Sequence, residues 1–412
     1  MKIICDRAAL LEAVNLIAAV VPARTPSPAL SCVKLTASKT GGVSCLTLQG
    51  TDAETALELN LTQVDVAQAG VAVVSADKLR QIVQTVVQSD PTVTLELEGD
   101  TCHIKGSHSR FRIFAFNAAD YPAVPAFNPA TGVPNARAQF SQPAGMMMRL
   151  ISRTMFATAK ETSRYAINGV LLKRDGKRLE MVATDGRRLA LCRTQLKPSA
   201  ITPGSADGPV SCIIPTKALA LFTRLVGDPE SNVRMAITDN RVFFAFEDGS
   251  ISGGAGGKKD AKKEADTSLP PRAVLSSTLV EGAFPPYEEV IPKDQDKKAT
   301  ASREELASAV RQASVLTNEE SRGIRMLFTG KDKRVKLSSR APEMGESEID
   351  MGLAGYEGED LEICFNPHFI SDVLKSIDEP EVMIEFKAPN KPGVLRAGTE
   401  FTYVLMPVTL PQ

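Results

Sequence analysis

The apolar positions of this chain fall into one pattern that recurs six times. A short apolar strand opens each unit, a polar capping residue follows, then an amphipathic helix, then several strands. The openings lie near Met1, Val71, Arg137, Val210, Lys298 and Leu361. Their spacing is roughly 60–75 residues, longer in the fourth unit, and exceeds the ~20–50 residues of solenoid repeats. A long repeat of mixed helix and strand indicates duplicated domains.

In the first unit Asp6 is the expected N-cap of a helix with Leu10, Val14, Ile17 and Val21 on one face. Strands are expected at Ser31–Leu35, Ser44–Gln49 and Thr55–Leu61. In the second, Ser75 caps a helix with Leu79, Ile82, Val83 and Val86 inward and Lys78, Gln81, Gln84 and Thr85 outward. Strands follow at Thr92–Leu97, Thr101–Lys105 and Ser109–Phe116. The third helix is Met-rich, with Met147, Leu150 and Ile151 inward and Arg149 and Arg153 one turn apart outside. Thr216 is the expected cap of the fourth, which buries Leu219, Phe222, Leu225 and Val226 and presents Lys217 and Arg224. The fifth opens on a capping box, Ser302-Arg-Glu-Glu305, and points Leu306, Ala309, Val310 and Ala313 inward with Arg311 outward. In the sixth, Asn366-Pro367 supplies an N-cap and a proline at N1, and Ile370, Val373, Leu374 and Ile377 face the core. The last strand is Phe401–Met406.

The Asp120–Pro125 ending, Asp-Tyr-Pro-Ala-Val-Pro, is echoed at Phe284–Pro292 and marks the ends of two duplicated domains. The units pair into three domains, 1–125, 137–292 and 298–412, with linkers 126–136 and 293–297. The fold class is α+β, each domain having two helices, about eight strands and two antiparallel sheets. Ser250–Thr267 is built of Gly, Lys and acidic residues with almost no apolar content, so 250–271 reads as a flexible insertion. Its Gly253–Lys258 run lacks the spacing of a phosphate loop, with Ser252 five before Gly257 and Lys259 after Lys258, so no nucleotide site follows.

Val182–Leu191 reads as a hairpin. Asp185-Gly186 is a two-residue signal for a type I′ turn, which needs positive φ at both central residues, and Thr184, Arg187 and Arg188 form a polar tip with Leu189 behind. Alone this is an ordinary surface turn. Three further stretches stand with it: Ser163–Val170 (Ser-Arg-Tyr-Ala-Ile-Asn-Gly-Val), Phe284–Pro292 (Phe-Pro-Pro-Tyr-Glu-Glu-Val-Ile-Pro) and Tyr403–Leu410 (Tyr-Val-Leu-Met-Pro-Val-Thr-Leu). In this order and spacing the four resemble the bacterial DNA sliding clamp, the beta subunit of DNA polymerase III, over the whole chain.

The resemblance implies a processivity-clamp fold closed as a head-to-tail dimeric ring, helices lining the hole and sheets outside. It implies a processivity factor that encircles duplex DNA and tethers the replicative polymerase and other replication and repair proteins. Short peptides of those proteins would bind between domains 2 and 3. The implied peptide pocket is Ile167, Thr184, Gly186, Arg187, Arg188, Leu189, Pro285, Val290, Val404, Leu405, Met406, Pro407 and Val408. The implied dimer seam joins Phe111 and Ile113 to Val315 and Leu316 of a second copy. Arg24 and Arg164-Tyr165 are implied DNA-touching positions. The outward helix faces add Lys78, Arg80, Arg149, Arg153, Lys217, Arg224, Arg311 and Lys375, which would otherwise be a solvated charged surface. Glu289 stands where a basic residue is expected in the family and Arg187 where His is common, which bears on the charge of the bound peptide.

Composition narrows this picture. At 412 residues the chain exceeds what one core serves, and hydrophobic and charged contents of 43% and 24% are ordinary for a globular protein. A net charge of −1 argues against tight DNA gripping through a broad basic surface, leaving sequence-independent phosphate contacts at a basic inner face. Seven scattered Cys form no C-x-x-C pair and read as reduced, buried thiols, and three His give no zinc spacing. With neither a leader pattern nor a membrane-length apolar run, a soluble cytoplasmic protein is expected. No nucleophile–base pair, acid pair or cofactor motif appears, so a non-catalytic protein without cofactors is expected. The expected partners are double-stranded DNA without sequence specificity, a second copy, the polymerase III catalytic subunit, client proteins and an ATP-dependent loader. A non-ring interaction scaffold is the alternative.

Overall fold

The structure is a computed structural model that describes residues 1–86, 90–161, 165–197, 208–247, 270–317, 323–341 and 344–408. Arg164, nearly all of the 250–271 insertion and the Pro411-Gln412 tail lie outside the described residues. Six α-helices occur among those described: α1 (Arg7–Ala18), α2 (Ala76–Thr85), α3 (Ala144–Ser152), α4 (Thr216–Leu225), α5 (Arg303–Ala313) and α6 (Pro367–Ser376).

Their start signals were legible in the chain. Asp6 accepts from the Ala9 N–H at 2.8 Å, and Ser75 from the Lys78 N–H at 3.4 Å. Ser302 accepts from the Glu305 N–H at 3.4 Å, and Asn366 from the His368 N–H at 2.9 Å. Each satisfies one of the donors a helix start leaves open. The helix α4 begins at Thr216 itself, one residue earlier than a Thr216 cap would place it. The expected apolar stripes are buried on α5 and α6; on α1 and α2 they are buried except Val21, which lies half-buried beyond the end of α1, and Ile82, which is half-buried. The helix α1 packs on α2 as α5 packs on α6.

The chain divides into two compact units. The first comprises Met1–Met148, Leu196–Val210 and Lys217–Leu279. It holds a five-stranded sheet in the order Val64–Gln68, Lys2–Asp6, Thr92–Glu98, Thr101–Lys105, Arg110–Phe114. Its second sheet has eight strands: Ala138–Pro143, Asn232–Ile237, Arg241–Phe246, Ala273–Thr278, Thr55–Leu61, Val43–Thr51, Cys32–Thr40 and Gly70–Ser75. The other unit comprises Arg149–Gln195, Ser211–Thr216 and Val280–Gln412. Its nine-stranded sheet runs Val210–Pro215, Gly169–Asp175, Arg178–Thr184, Arg188–Gln195, Phe401–Leu405, Gly393–Ala397, Glu381–Phe386, Lys297–Ser302, Gly355–Glu357. A four-stranded sheet runs Gly345–Gly352, Arg334–Ala341, Ile324–Thr329, Leu361–Phe365.

Each sequence domain contributes strands to two antiparallel sheets, as expected; beyond that expectation, the large sheets are shared between successive domains. Ala273–Thr278 pairs antiparallel with Thr55–Leu61, Leu275 opposite Leu57. Arg188–Gln195 pairs antiparallel with Phe401–Leu405, Leu189 opposite Val404. A strand edge left open exposes a row of backbone donors and acceptors, and joining two edges satisfies both. A periodicity within each repeat carries no information about such a junction.

One outward-face expectation is overturned. Arg153 is only 1% exposed, so it is not a surface cation. The helix α3 stops at Ser152 and the next residue turns inward, where Arg153 Nη2 donates to both Glu379 carboxylate oxygens at 2.8 Å. Burial is the largest single influence and raises the Glu379 pKa, but the Arg153 hydrogen bond, a backbone hydrogen bond and the charges of Arg153 and Arg149 together bring the group below the usual glutamate value. We predict that Glu379→Gln destabilises the protein by ~3 kcal/mol at neutral pH, because it leaves a buried guanidinium unpaired. A lowered carboxyl pKa stabilises above the unfolded value, so the difference from wild type shrinks as pH falls below about 4.3. Denaturant unfolding of both proteins at several pH values checks this.

Candidate functional site

The hairpin between Arg178–Thr184 and Arg188–Gln195 forms, but not as a type I′ turn. Only Gly186 has positive φ, at 84°. Side chains hold the tip instead. The Thr184 hydroxyl donates to the Arg188 carbonyl at 2.7 Å and accepts from the Gly186 N–H at 3.1 Å. The Asp185 carboxylate accepts from the N–H groups of Arg187 and Arg188 at 2.9 and 3.0 Å. Asp185 is therefore required as an acceptor for the turn backbone rather than for left-handed geometry.

Behind this tip lies a cavity of about 200 Å³ lined by Tyr165, Ile167, Thr184, Gly186, Arg187, Arg188, Leu189, Pro285, Tyr287, Val290, Val404 and Met406. Strand alternation places Leu189 and Val404 side by side on one sheet face as its floor. They continue into a buried cluster with Val182, Leu191, Ile213 and Tyr287. The Tyr287 hydroxyl donates to Glu180 Oε2 at 3.2 Å, fixing the 285–290 segment over the sheet. Burial first, and then the Glu180 carboxylate, push the Tyr287 phenol up, so it remains a donor.

Arg188 is tied within this site by three hydrogen bonds. Its Nε donates to Asp185 at 3.0 Å, Nη1 to Asp372 at 2.6 Å, and Nη2 to the Phe156 carbonyl at 2.8 Å. The Phe369 ring lies 4.4 Å from its guanidinium carbon. Burial disfavours its charge most strongly of any single influence, but the Asp372 hydrogen bond together with the interactions of Tyr403 and Asp185 raises its pKa on balance. Arg187, exposed at the tip, lines the cavity and makes no ion pair among the described residues.

Ten of the thirteen expected pocket residues line the cavity. Leu405 does not. It follows Val404, so its side chain points to the other sheet face, where it meets Phe365, Phe386 and Tyr403. Pro407 and Val408 are half-buried beyond the strand, and the Val408 N–H donates to the Cys364 carbonyl at 2.9 Å. Met406 is tied at its backbone, donating to the Arg187 carbonyl at 3.0 Å, while its side chain stays 40% exposed. Tyr287 was not anticipated as a lining residue, although its motif was, and Tyr165, expected at DNA, lines the cavity.

The cations expected at DNA divide into two groups. Arg24, Lys78, Arg224, Arg311 and Lys375 are exposed and make no ion pair among the described residues. Arg80 bonds Asp77 at 2.9 Å, Arg149 bonds Glu379 at 3.2 Å, and Lys217 bonds Asp52 and the Val20 carbonyl. Of the expected seam residues, Phe111 and Ile113 are half-buried on Arg110–Phe114, the edge strand of the five-stranded sheet. Val315 is 68% exposed and Leu316 half-buried, in a turn against Gly345–Gly352, the edge strand of the four-stranded sheet.

Repeated helix-and-sheet domains with an apolar cavity beneath a side-chain-tied polar tip define a clamp-type scaffold. Sequence profiles of the DNA polymerase III beta subunit match throughout: the N-terminal domain at residues 1–125, the central domain at 143–253 and the C-terminal domain at 288–409. The beta sliding clamp of Pseudomonas putida KT2440 is 31% identical over 412 residues, all of both chains, and that of Escherichia coli K12 is 26% identical at the same coverage. A crystal structure of the Pseudomonas aeruginosa clamp bound to griselimycin superposes with a TM-score of 0.84 at 29% identity, covering all of both chains. The chain belongs to the family of the DNA polymerase III beta subunit, the bacterial sliding clamps, and is a non-catalytic processivity factor for DNA polymerase.

No atom lies within 4 Å of where a Cβ on Gly186 would sit, so Gly186→Ala tests backbone strain alone. We predict a loss of about 1 kcal/mol of stability from a non-glycine residue forced to positive φ. Equal stability of variant and wild type in denaturant titration would show that the turn relaxes freely.

Proposed function

We propose that the cavity beneath the Thr184–Arg188 tip receives short peptides of the polymerase catalytic subunit and of other replication and repair proteins. The observation that carries this reading is the composition of the site: an apolar floor of Leu189 and Val404, a tied tip, and an exposed, adaptable Met406 at the mouth. An extended peptide with a Leu or Phe anchor fits that chemistry, and a flexible Met suits a site that serves several clients. The proposal extends to a head-to-tail dimeric ring of domains 1–125, 137–292 and 298–412, acting in the cytoplasm, opened by an ATP-dependent loader and closed around duplex DNA. Phe111 and Ile113 lie on one sheet-edge strand and Val315 and Leu316 pack beside another, and neither edge strand has a ladder partner on its outer side among the described residues, which supports pairing between two copies. The unpaired Arg24, Lys78, Arg224, Arg311 and Lys375 would meet phosphates weakly and without sequence preference.

No helix among the described residues is long and apolar enough to cross a membrane. Three outcomes follow. A short peptide carrying a Gln and a Leu-Phe pair binds the intact protein, and truncation after Leu405, which removes Met406, weakens binding at least tenfold with the dimer retained; unchanged affinity places the client site elsewhere. Val315→Lys with Leu316→Lys yields a folded monomer by solution mass; a dimer would remove the seam. Arg24→Glu and Lys78→Glu each lower retention on DNA modestly, more so at low salt. Complete loss from one reversal with the dimer intact would indicate a conventional binder.

A further inference from the structure

Next to the apolar cavity, in the same compact unit, lies a second and more open cleft of about 490 Å³. Four cations line it, Arg178, Arg193, Lys293 and Arg396, together with Thr402 and Ile291. The two spaces share one sheet face. Along Arg188–Gln195 the alternation carries Leu189 in the apolar cavity, Leu191 at the boundary and Arg193 in the cleft. On the paired strand Val404 belongs to the first and Thr402 to the second. The 285–293 segment walls both, through Pro285, Tyr287 and Val290 on one side and Glu288, Ile291 and Lys293 on the other. Leu189 to Arg193 is four residues of strand, ~13 Å at about 3.3 Å per residue, a distance an equally extended peptide spans in about four residues.

The cations are held without being used up. Arg193 Nε donates to Glu180 Oε1 at 2.6 Å, and Arg178 pairs with the same buried carboxylate. Arg396 donates to Glu385 at 2.8 Å and to the Thr402 hydroxyl at 3.0 Å. Each guanidinium carries five N–H donors, so the three keep donors beyond these bonds. Lys293 is exposed and makes no ion pair among the described residues. The carboxylate lining the cleft, Glu288, is drawn off by Lys173 at 3.3 Å.

We propose that this cleft seats acidic residues of the same client peptide, about four positions from its apolar anchor. The proposal rests on the peptide reading of the neighbouring cavity and adds a charge preference to it. Arginine forks pre-organised by buried carboxylates bind Asp or Glu through charge-assisted hydrogen bonds, and a half-exposed cleft leaves them screened and moderate in strength.

The test compares peptides sharing a Gln and Leu-Phe core. Each carries Glu-Glu or Gln-Gln four residues from the Leu-Phe pair, placed before it in one set and after it in the other. At low salt one Glu-Glu peptide binds wild type roughly three- to tenfold more tightly than its Gln-Gln partner, and the gain falls as salt rises. Lys293→Glu and, separately, Arg178→Gln shrink that gain while leaving affinity for the Gln-Gln peptides in place. Equal affinity of Glu-Glu and Gln-Gln peptides in both sets overturns the cleft and leaves the apolar pocket standing. Failure of the Gln-Gln peptides to bind wild type overturns the pocket reading and this one with it. A gain untouched by both variants, or a loss of DNA retention in Lys293→Glu with peptide affinities unmoved, assigns the acidic preference elsewhere or the cleft to phosphate, and overturns the proposal.

Discussion

The antiparallel pairing of Arg188–Gln195 with Phe401–Leu405 is the interaction on which the site depends. It joins a strand of the second sequence domain to the last strand of the third in one ladder. That register brings Leu189 beside Val404 and carries the chain on to Met406, whose N–H closes on the Arg187 carbonyl. A slip of one residue would turn Leu189 and Val404 to the opposite face and replace the apolar floor with its neighbours. The Arg188 guanidinium reinforces the register from the side, joining the hairpin tip to Asp372 on α6. The cavity is therefore a product of sheet continuity, assembled from segments more than two hundred positions apart in the sequence.

What the sequence makes legible follows from the range of each interaction. Helix starts are local, and Asp6, Ser75, Ser302 and Asn366 cap where their spacing places them. The period-two alternation of Thr55–Leu61 and Thr101–Lys105 predicts both strands with their observed bounds. Most of the cavity was legible through family resemblance, because the four motifs carry its walls. What escaped depends on longer-range geometry. Leu405 belongs to the right strand but faces the wrong way for the cavity, which only the pairing register decides. Arg153 has helical spacing from Arg149, yet the helix ends one residue before it, and Glu379, far along the chain, draws it into the interior. The shared sheets were invisible for the same reason: no repeat encodes which edge of its neighbour it will meet.

Charge is handled with economy. The net charge is −1 although 48 residues are Lys or Arg, and several of the expected DNA cations are held by carboxylates on the same chain. The remaining ones, spread over the first, second, fourth, fifth and sixth units, are single charges on exposed positions. Phosphate contacts from such positions, as proposed, would be weak and dispersed and would permit movement along a duplex, whereas a dense basic groove would hold it in place. A molecule held so lightly would need another source of retention, which the proposed closure of two copies edge to edge into a ring would supply without further contacts.

That account is tested most directly by loading the protein with a clamp loader onto a nicked circular DNA, removing free protein, and then linearising the circle with a restriction enzyme. Retention on the circle at moderate salt, followed by rapid loss from the linear form, is the result expected of a topological link. Equal retention on circular and linear DNA would mean that direct contacts hold the protein, and the encircling mechanism would not stand.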